Sequence, residues 1–164
     1  MPISKSKPIT KPVPKPKQAK MMDLLVRIKM FDQMSSDELH HLSRYMSLHT
    51  LAFNEVLFEE GESSRYLCFI VDGAVQISKQ GNDGESVLAK IPAGRMVGEM
   101  SLFDKYARSA TARAIKPTSV AIISQENVDK LCLEHPSIGV KVLKGIARIM
   151  SLNLRRTSML LIDR

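Results

Sequence analysis

A carboxylate and a guanidinium stand nine positions apart near the middle of the sequence, at Glu99 and Arg108. Glu99 follows Gly98, which permits a sharp turn, and it begins a stretch that indicates one short helical turn whose free N–H groups could bind an anion. Arg108 offers a planar fork of donors to phosphate oxygens, and the Ser109 hydroxyl adds another donor. A carboxylate would repel phosphate, but it can accept a hydrogen bond from a ribose hydroxyl. These residues predict a pocket for a ligand that carries phosphate and a sugar hydroxyl.

A plainer interpretation of the same residues is a surface loop, in which Glu99 and Arg108 form an exposed ion pair that contributes little. Other reactive groups are scarce. The sequence has no Walker-type phosphate loop, no paired catalytic carboxylates and no nucleophile elbow, so we do not expect an enzyme. We expect no metal site either, because the histidines are adjacent on one helix or isolated, at His40, His41, His49 and His135.

The candidate pocket lies within a run of short apolar or alternating stretches from Ser47 to Ser124. Turn residues close these stretches at intervals of about ten residues, which is typical of an all-β sandwich or barrel. Asp72-Gly73, between residues 66–71 and 74–78, predicts a hairpin because Asp-Gly suits tight two-residue turns. We predict an α+β protein built on a jelly roll of about eight antiparallel strands.

Helices are predicted on both sides of this run. A first helical stretch covers residues 24–31, and Ser35 with Glu38 has the spacing of a capping box. Ser124 is a candidate N-cap for a short helix that Pro136 ends, and Pro136 then suits the first turn of the last helix. That helix is long, and its apolar residues recur at steps of three and four, at Ile138, Val142, Ile146 and Ile149.

Gly145 interrupts the last helix at a cost of about 1 kcal/mol relative to alanine. A glycine is favourable there if another helix approaches closely beside Ile146 and Ile149, so a homodimer that pairs through this helix is one interpretation. The alternative is that the same face packs on the barrel of its own chain.

The amino-acid composition limits the kinds of protein that this chain can be. The 164 residues fit one domain, and the formal charge of +7 arises mostly from six lysines in residues 1–20, leaving 18 basic and 17 acidic residues beyond. We predict a disordered Lys/Pro-rich tail at 1–20 and a folded domain at 21–164. A tail that binds nucleic acid or acidic lipid is a weaker alternative. We expect a cytoplasmic protein, because the two cysteines are far apart and the sequence has neither a membrane-spanning run nor a signal peptide.

The central segment resembles a known family. Gly98-Glu99-Met100-Ser101-Leu102 with Arg108-Ser109-Ala110-Thr111 is similar to the phosphate-binding cassette of the cyclic nucleotide-binding domain family, which includes the sensor domains of catabolite activator protein and of the protein kinase A regulatory subunit. The order of the other predicted elements follows the family over about residues 24–160.

The resemblance implies a cyclic nucleotide ligand, cyclic AMP more readily than cyclic GMP, held without a metal. Glu99 would receive the ribose 2′-hydroxyl and Arg108 would neutralise the cyclic phosphate. Ala107 stands where many members have proline, which leaves the loop before Arg108 less rigid. The remaining implied binding residues are Gly98, Met100, Ser101, Ser109 and Ala110 in the cassette, with Val87, Asn153 and Thr157 as candidate base contacts.

By this resemblance we expect a regulatory sensor that acts through a protein effector or through rearrangement of a homodimer joined at the C-terminal helix. No room remains after this helix for a helix-turn-helix, so we expect no sequence-specific DNA binding. The alternative function is an adaptor or dimerisation domain of the same fold that binds no nucleotide.

Overall fold

The structure is a computed structural model that describes residues 18–162. Its first helix, α1, spans Gln18–Leu25 and so begins three residues inside the predicted tail. The rest of that tail, and the end of the predicted domain at residues 163–164, lie outside the described residues. A 3-10 turn at Lys29–Phe31 leads to helix α2 at Ser36–Ser43. Ser35 and Glu38 form the predicted capping box, with Ser35 Oγ accepting from Glu38 N and Glu38 Oε2 from Ser35 N.

Eight antiparallel strands follow within the described chain and form two four-stranded sheets. The first sheet has the order β1-β8-β3-β6 and the second β2-β7-β4-β5. The strands are β1 Ser47–Leu51, β2 Val56–Phe58, β3 Tyr66–Asp72, β4 Ala74–Gly81, β5 Gly84–Pro92, β6 Met96–Val97, β7 Thr111–Ala114 and β8 Thr118–Ser124. The predicted jelly roll of eight antiparallel strands is therefore confirmed.

The predicted hairpin at Asp72-Gly73 is wrong. Strands β3 and β4 lie in different sheets, so Asp72-Gly73 carries the chain from one sheet to the other. Gly73 has a φ of 90°, and the Thr118 hydroxyl contacts both the N–H and the carbonyl of Ala74, at 3.1 and 3.0 Å. The Thr118 side chain thus holds the first residue of β4 by hydrogen bonds. The hairpin that does form joins β4 to β5, where Gly81 pairs with Gly84.

The hydrophobic core has two layers, and β3 is buried on both faces between them. Cys68 and Ile70 face the second sheet within the sandwich. Leu67 and Phe69 face the other way, where the helices cover the first sheet. The helices of this outer layer include α4 at Gln125–Glu134 and α5 at Pro136–Ile162. Helix α4 begins at the predicted N-cap, whose Oγ accepts from Asn127 N at 3.1 Å.

Helix α5 packs on its own chain only along its first half. Ile138, Val142 and Ile146 are buried in the outer layer, whereas every residue from 151 to 162 is exposed. A β-carbon built at Gly145 would lie 2.6 Å from Met30 Cγ. The 3-10 turn of the same chain, which contains Met30, is therefore a close neighbour that this glycine admits. Within residues 18–162, every helix is too short or too polar to span a membrane.

Candidate functional site

A half-open cleft of about 210 Å³ lies at the end of β6, between the second sheet and α5. Apolar side chains from β2, β4, β5 and β6 form its wall. Its polar rim comes from α3, which spans Glu99–Phe103, from the segment before β7, and from one residue of α5. The lining residues are Phe58, Ile77, Ile91, Met96, Val97, Gly98, Glu99, Met100, Ser101, Arg108, Ser109, Ala110 and Asn153.

Gly98 makes the turn between β6 and α3. Its φ of 84° lies in the left-handed region, which L side chains rarely adopt. A β-carbon at this position would lie 2.5 Å from Arg108 Nη1 and 3.2 Å from the carbonyl oxygen of Tyr66. Glycine is thus required both by the turn and by the close approach of the guanidinium.

Arg108 is 3% exposed, although it carries a charge. Its main chain is held by residues far away in sequence, since its N–H donates to Glu62 O and its carbonyl accepts from Gly61 N, both at 2.8 Å. Its side chain donates from Nε to Ser64 Oγ at 2.9 Å, from Nη1 to Gly98 O at 3.0 Å, and from Nη2 to Tyr66 O at 2.8 Å. All three acceptors are neutral.

No carboxylate of residues 18–162 lies within the 4.0 Å ion-pairing distance of Arg108. The exposed Glu99–Arg108 ion pair of the plainer interpretation is therefore absent. A buried cation without a counter-charge is costly, because the low-dielectric interior replaces water poorly. The arginine lines a cleft, so an anion that enters the cleft would supply the missing charge.

Glu99 is the acidic residue that lines the cleft. Its carboxyl group is partly buried in the cleft, and burial raises its pKa above the ordinary value of 4.5. A backbone hydrogen bond and the charge of Arg108 act in the other direction but do not cancel the effect of burial. A carboxylate in this state gains from a hydroxyl donor on a ligand.

The structure brings eight of the ten sequence-predicted site residues to the cleft. Ser101 and Ala110 are buried there, Met100 and Ser109 are exposed at its rim, and Asn153 reaches it from α5. Two predicted base contacts are not at the cleft. Val87 is 54% exposed on β5, and the Thr157 hydroxyl donates to Asn153 O of its own helix at 3.1 Å.

Sequence reasoning missed three residues that contact Arg108, namely Phe58, Ser64 and Tyr66. Ser64 is 44 positions from Arg108, and neither residue carries a local pattern that indicates the contact. The neighbouring Glu60-Gly61 turn was visible in the sequence, but its pairing with Arg108 depends on the folded topology.

The histidines also differ from expectation in one respect. The sequence predicts that His135 is isolated, but its ring lies 4.4 Å from that of His41, measured between centroids. Among the described residues, no group of three or more His, Cys, Asp or Glu side chains is arranged to hold a metal ion.

Comparisons with known proteins agree with this fold. Residues 48–135 match the family described as cyclic nucleotide-binding domain. The chain is 30% identical over 109 residues to the cAMP-dependent protein kinase regulatory subunit of Debaryomyces hansenii, covering 66% of this chain and 24% of that protein. It is 26% identical over 144 residues to the CRP-like cAMP-activated global transcriptional regulator of Mycobacterium tuberculosis, covering 87% and 62%.

The solved structure of a cyclic nucleotide-binding domain from Methylobacillus flagellatus matches with a TM-score of 0.79 and 29% identity, covering 90% of this chain and 84% of that one. The chain spans less than two thirds of the length of the two curated relatives.

Proposed function

The chain belongs to the cyclic nucleotide-binding domain family, and we propose that it is a regulatory sensor that binds a cyclic purine nucleotide between Glu99 and Arg108. The observation that carries the proposal is the burial of Arg108 without a carboxylate partner in the described chain, at the wall of an accessible cleft. An anionic ligand would supply the negative charge that Arg108 lacks. The carboxyl group of Glu99 in the same cleft selects an anion that also presents a hydroxyl group.

The donors of Arg108 suit a phosphate. A guanidinium has five N–H groups, and three of those of Arg108 donate to protein oxygens, so two remain for the ligand. The N–H groups of Met100 and Ala110 and the Ser109 hydroxyl would complete the phosphate shell. Glu99 would accept from the ribose 2′-hydroxyl. Asn153 is then the candidate contact for the base, since it enters the cleft from α5.

Two relatives are named for cyclic AMP, and on this ground we favour cyclic AMP over cyclic GMP. The ligand would act as a signal through α5, because this helix lines the cleft with Asn153 and continues outward with every side chain exposed. Such a shift requires that the ligand bind one position of the helix more tightly than another. The output would pass to a protein effector or to rearrangement of a homodimer.

The family's domain is a sensor and not a catalyst, and we propose that this chain has no catalytic activity of its own. We place it in the cytoplasm and propose no sequence-specific DNA contact. The competing function is an adaptor of the same fold that binds no nucleotide. The unpaired charge of Arg108 disfavours it, because an adaptor would gain nothing from burying that charge.

Calorimetric titration of the full chain with cyclic AMP and cyclic GMP tests the proposal. We expect saturable binding that Arg108→Ala weakens by about a hundredfold or more, because charge-assisted hydrogen bonds to phosphate are lost. Arg44→Ala is the matched control, since Arg44 is exposed at the end of α2. Absence of binding by the wild-type chain to both nucleotides would contradict the proposed sensor and favour the adaptor.

A further inference from the structure

The guanidinium of Arg108 lies in the corner between two aromatic rings. Its Cζ stands over the ring of Phe58 at 4.1 Å from the centroid and over that of Tyr66 at 4.5 Å. The two rings meet edge to face, with 6.4 Å between centroids and 70° between planes. The negative ring faces attract the cation, and this attraction is strongest where water is excluded.

The edges of the same guanidinium are held by oxygen atoms that carry no net charge. Ser64 Oγ accepts from Nε, and the carbonyl groups of Gly98 and Tyr66 accept from the two terminal nitrogens. Tyr66 is itself fixed, because its hydroxyl donates to Leu57 O at 2.9 Å. Burial raises the pKa of Tyr66 to about 12, so its ring stays neutral across the physiological range.

We infer that Phe58, Tyr66 and Ser64 form a neutral clamp that positions Arg108 for the ligand phosphate before the ligand arrives. This inference rests on the proposed function. A carboxylate could hold the arginine equally well, but it would compete with the phosphate for the charge. Rings and neutral oxygens fix the side chain and leave its charge uncompensated. The ordering of a flexible side chain then occurs on folding and does not oppose binding.

The affinity for cyclic AMP tests whether the clamp positions Arg108 for the ligand. We expect Phe58→Leu, Tyr66→Leu and Ser64→Ala each to weaken binding about tenfold, the size of one desolvated cation–π contact or charge-assisted hydrogen bond. Tyr66→Phe keeps the ring and should restore most of the affinity. Phe53→Leu is the matched control, since Phe53 is 69% exposed and is not among the cleft residues.

Ser64→Asp separates a neutral clamp from one that only fixes geometry. An aspartate at this position could still accept from Nε and would add a negative charge. If the neutrality of the clamp matters, this variant should hold Arg108 in place and yet bind cyclic AMP at least tenfold more weakly than the wild type. Binding as tight as that of the wild type would overturn the inference.

Nuclear magnetic resonance of the Arg108 Nε–H group in the unliganded chain gives a readout that general stability does not mimic. A held guanidinium shows a slowly exchanging Nε–H signal, shifted by the ring currents of Phe58 and Tyr66. We expect Phe58→Leu and Tyr66→Leu to lose the shift and Ser64→Ala to exchange faster, at unfolding temperatures that show each variant is folded. Arg108→Lys assigns the signal.

The outcomes separate the two proposals. A held, ring-shifted Nε–H signal with no nucleotide binding by the wild type would reject both the proposed function and the positioning role that rests on it. Binding by the wild type that folded Phe58→Leu, Tyr66→Leu and Ser64→Ala all match within twofold would overturn the clamp and leave the proposed function intact. Weakened binding in these variants with rescue by Tyr66→Phe supports both.

Discussion

The carbonyl oxygen of Gly98 accepts a hydrogen bond from Arg108 Nη1 at 3.0 Å, and a β-carbon at residue 98 would lie 2.5 Å from that same nitrogen. The turn into α3 and the position of the guanidinium are therefore one structural feature. The absence of a side chain at residue 98 provides the space for the charge. The glycine adopts the left-handed conformation, and its carbonyl accepts from the guanidinium.

Gly98→Ala is expected to abolish nucleotide binding and to lower the free energy of unfolding by at least 1–3 kcal/mol, roughly the strain of a non-glycine residue in the left-handed region. The added methyl group must also displace Arg108. Gly94→Ala is the matched control, because Gly94 has a φ of 86° and nothing within 4 Å of an added β-carbon. Urea denaturation and calorimetry should show that both variants are destabilised and that only Gly98→Ala loses binding. Equal affinity in the two variants would contradict the steric argument.

Local signals in the sequence predicted most of the elements. Ser35 and Glu38 are three residues apart, so their capping box is visible without knowledge of the fold, and the same holds for Ser124. Strand pairing was not predictable in this way. Asp72-Gly73 has the composition of a hairpin turn, but burial of β3 on both faces and the side chain of Thr118 decide that the chain changes sheets.

The site residues that lie in two continuous segments could be predicted from the sequence. Residues 98–101 and 108–110 reach one cleft because α3 and the segment before β7 adjoin it. The contacts of Arg108 with Ser64 and Tyr66 span more than forty positions and depend on how the segment before β3 packs on the segment before β7. A single sequence carries no signal of that packing.

Nucleotide affinity should depend on pH through Glu99. Burial raises the pKa of this carboxyl above 4.5, and the ligand hydroxyl needs the ionised form as acceptor. Affinity for cyclic AMP is therefore expected to fall as the pH falls through the raised pKa, at a higher pH than an unshifted glutamate would require. Calorimetry across this range should show the fall in the wild type and in Glu126→Gln, an exposed control, and a flat profile in Glu99→Gln. A flat wild-type profile would argue against Glu99 as the acceptor.

The raised pKa of Glu99 also affects the stability of the unliganded chain. A carboxyl whose folded pKa is raised contributes stability in acid that is lost as the pH rises through that pKa. Glu99→Gln removes a group that is costly to ionise in the cleft. The variant should be more stable than the wild type at neutral pH, and the difference should shrink toward pH 4.5. Thermal unfolding at a series of pH values measures both trends, and a less stable variant at neutral pH would contradict them.

Ser35→Ala should lower the free energy of unfolding by about 1 kcal/mol, the usual value of an N-cap hydroxyl. The effect reaches beyond α2, because Glu38 of the same capping box is 2.7 Å from Lys141 Nζ of α5. Ser36→Ala is the control, since Ser36 begins the helix and is exposed. Urea denaturation should place the midpoint of Ser35→Ala below those of the wild type and of Ser36→Ala. Coincident midpoints of the two variants would show that the cap is dispensable.

The proposed homodimer depends on the exposed second half of α5. The first half is less available, because Met30 of the same chain lies close to Gly145. Leu154 and Leu161 are each 68% exposed and lie two turns apart on one face of the helix. Pairing with the same face of a second copy would remove both from water. We expect sedimentation of the wild type to show a dimer at micromolar concentration, and the double variant Leu154→Lys with Leu161→Lys to sediment as a monomer.

Leu133→Lys is the matched control for this experiment, because Leu133 is 83% exposed on α4 and lies outside α5. It should sediment as the wild type does. Lysine is a good helix former, so the double variant should keep its helix content by circular dichroism. Since the cleft is built within one chain, the monomeric variant should still bind cyclic AMP. A wild-type chain that remains monomeric at high concentration, with and without nucleotide, would exclude the dimer and leave a protein effector as the route of output.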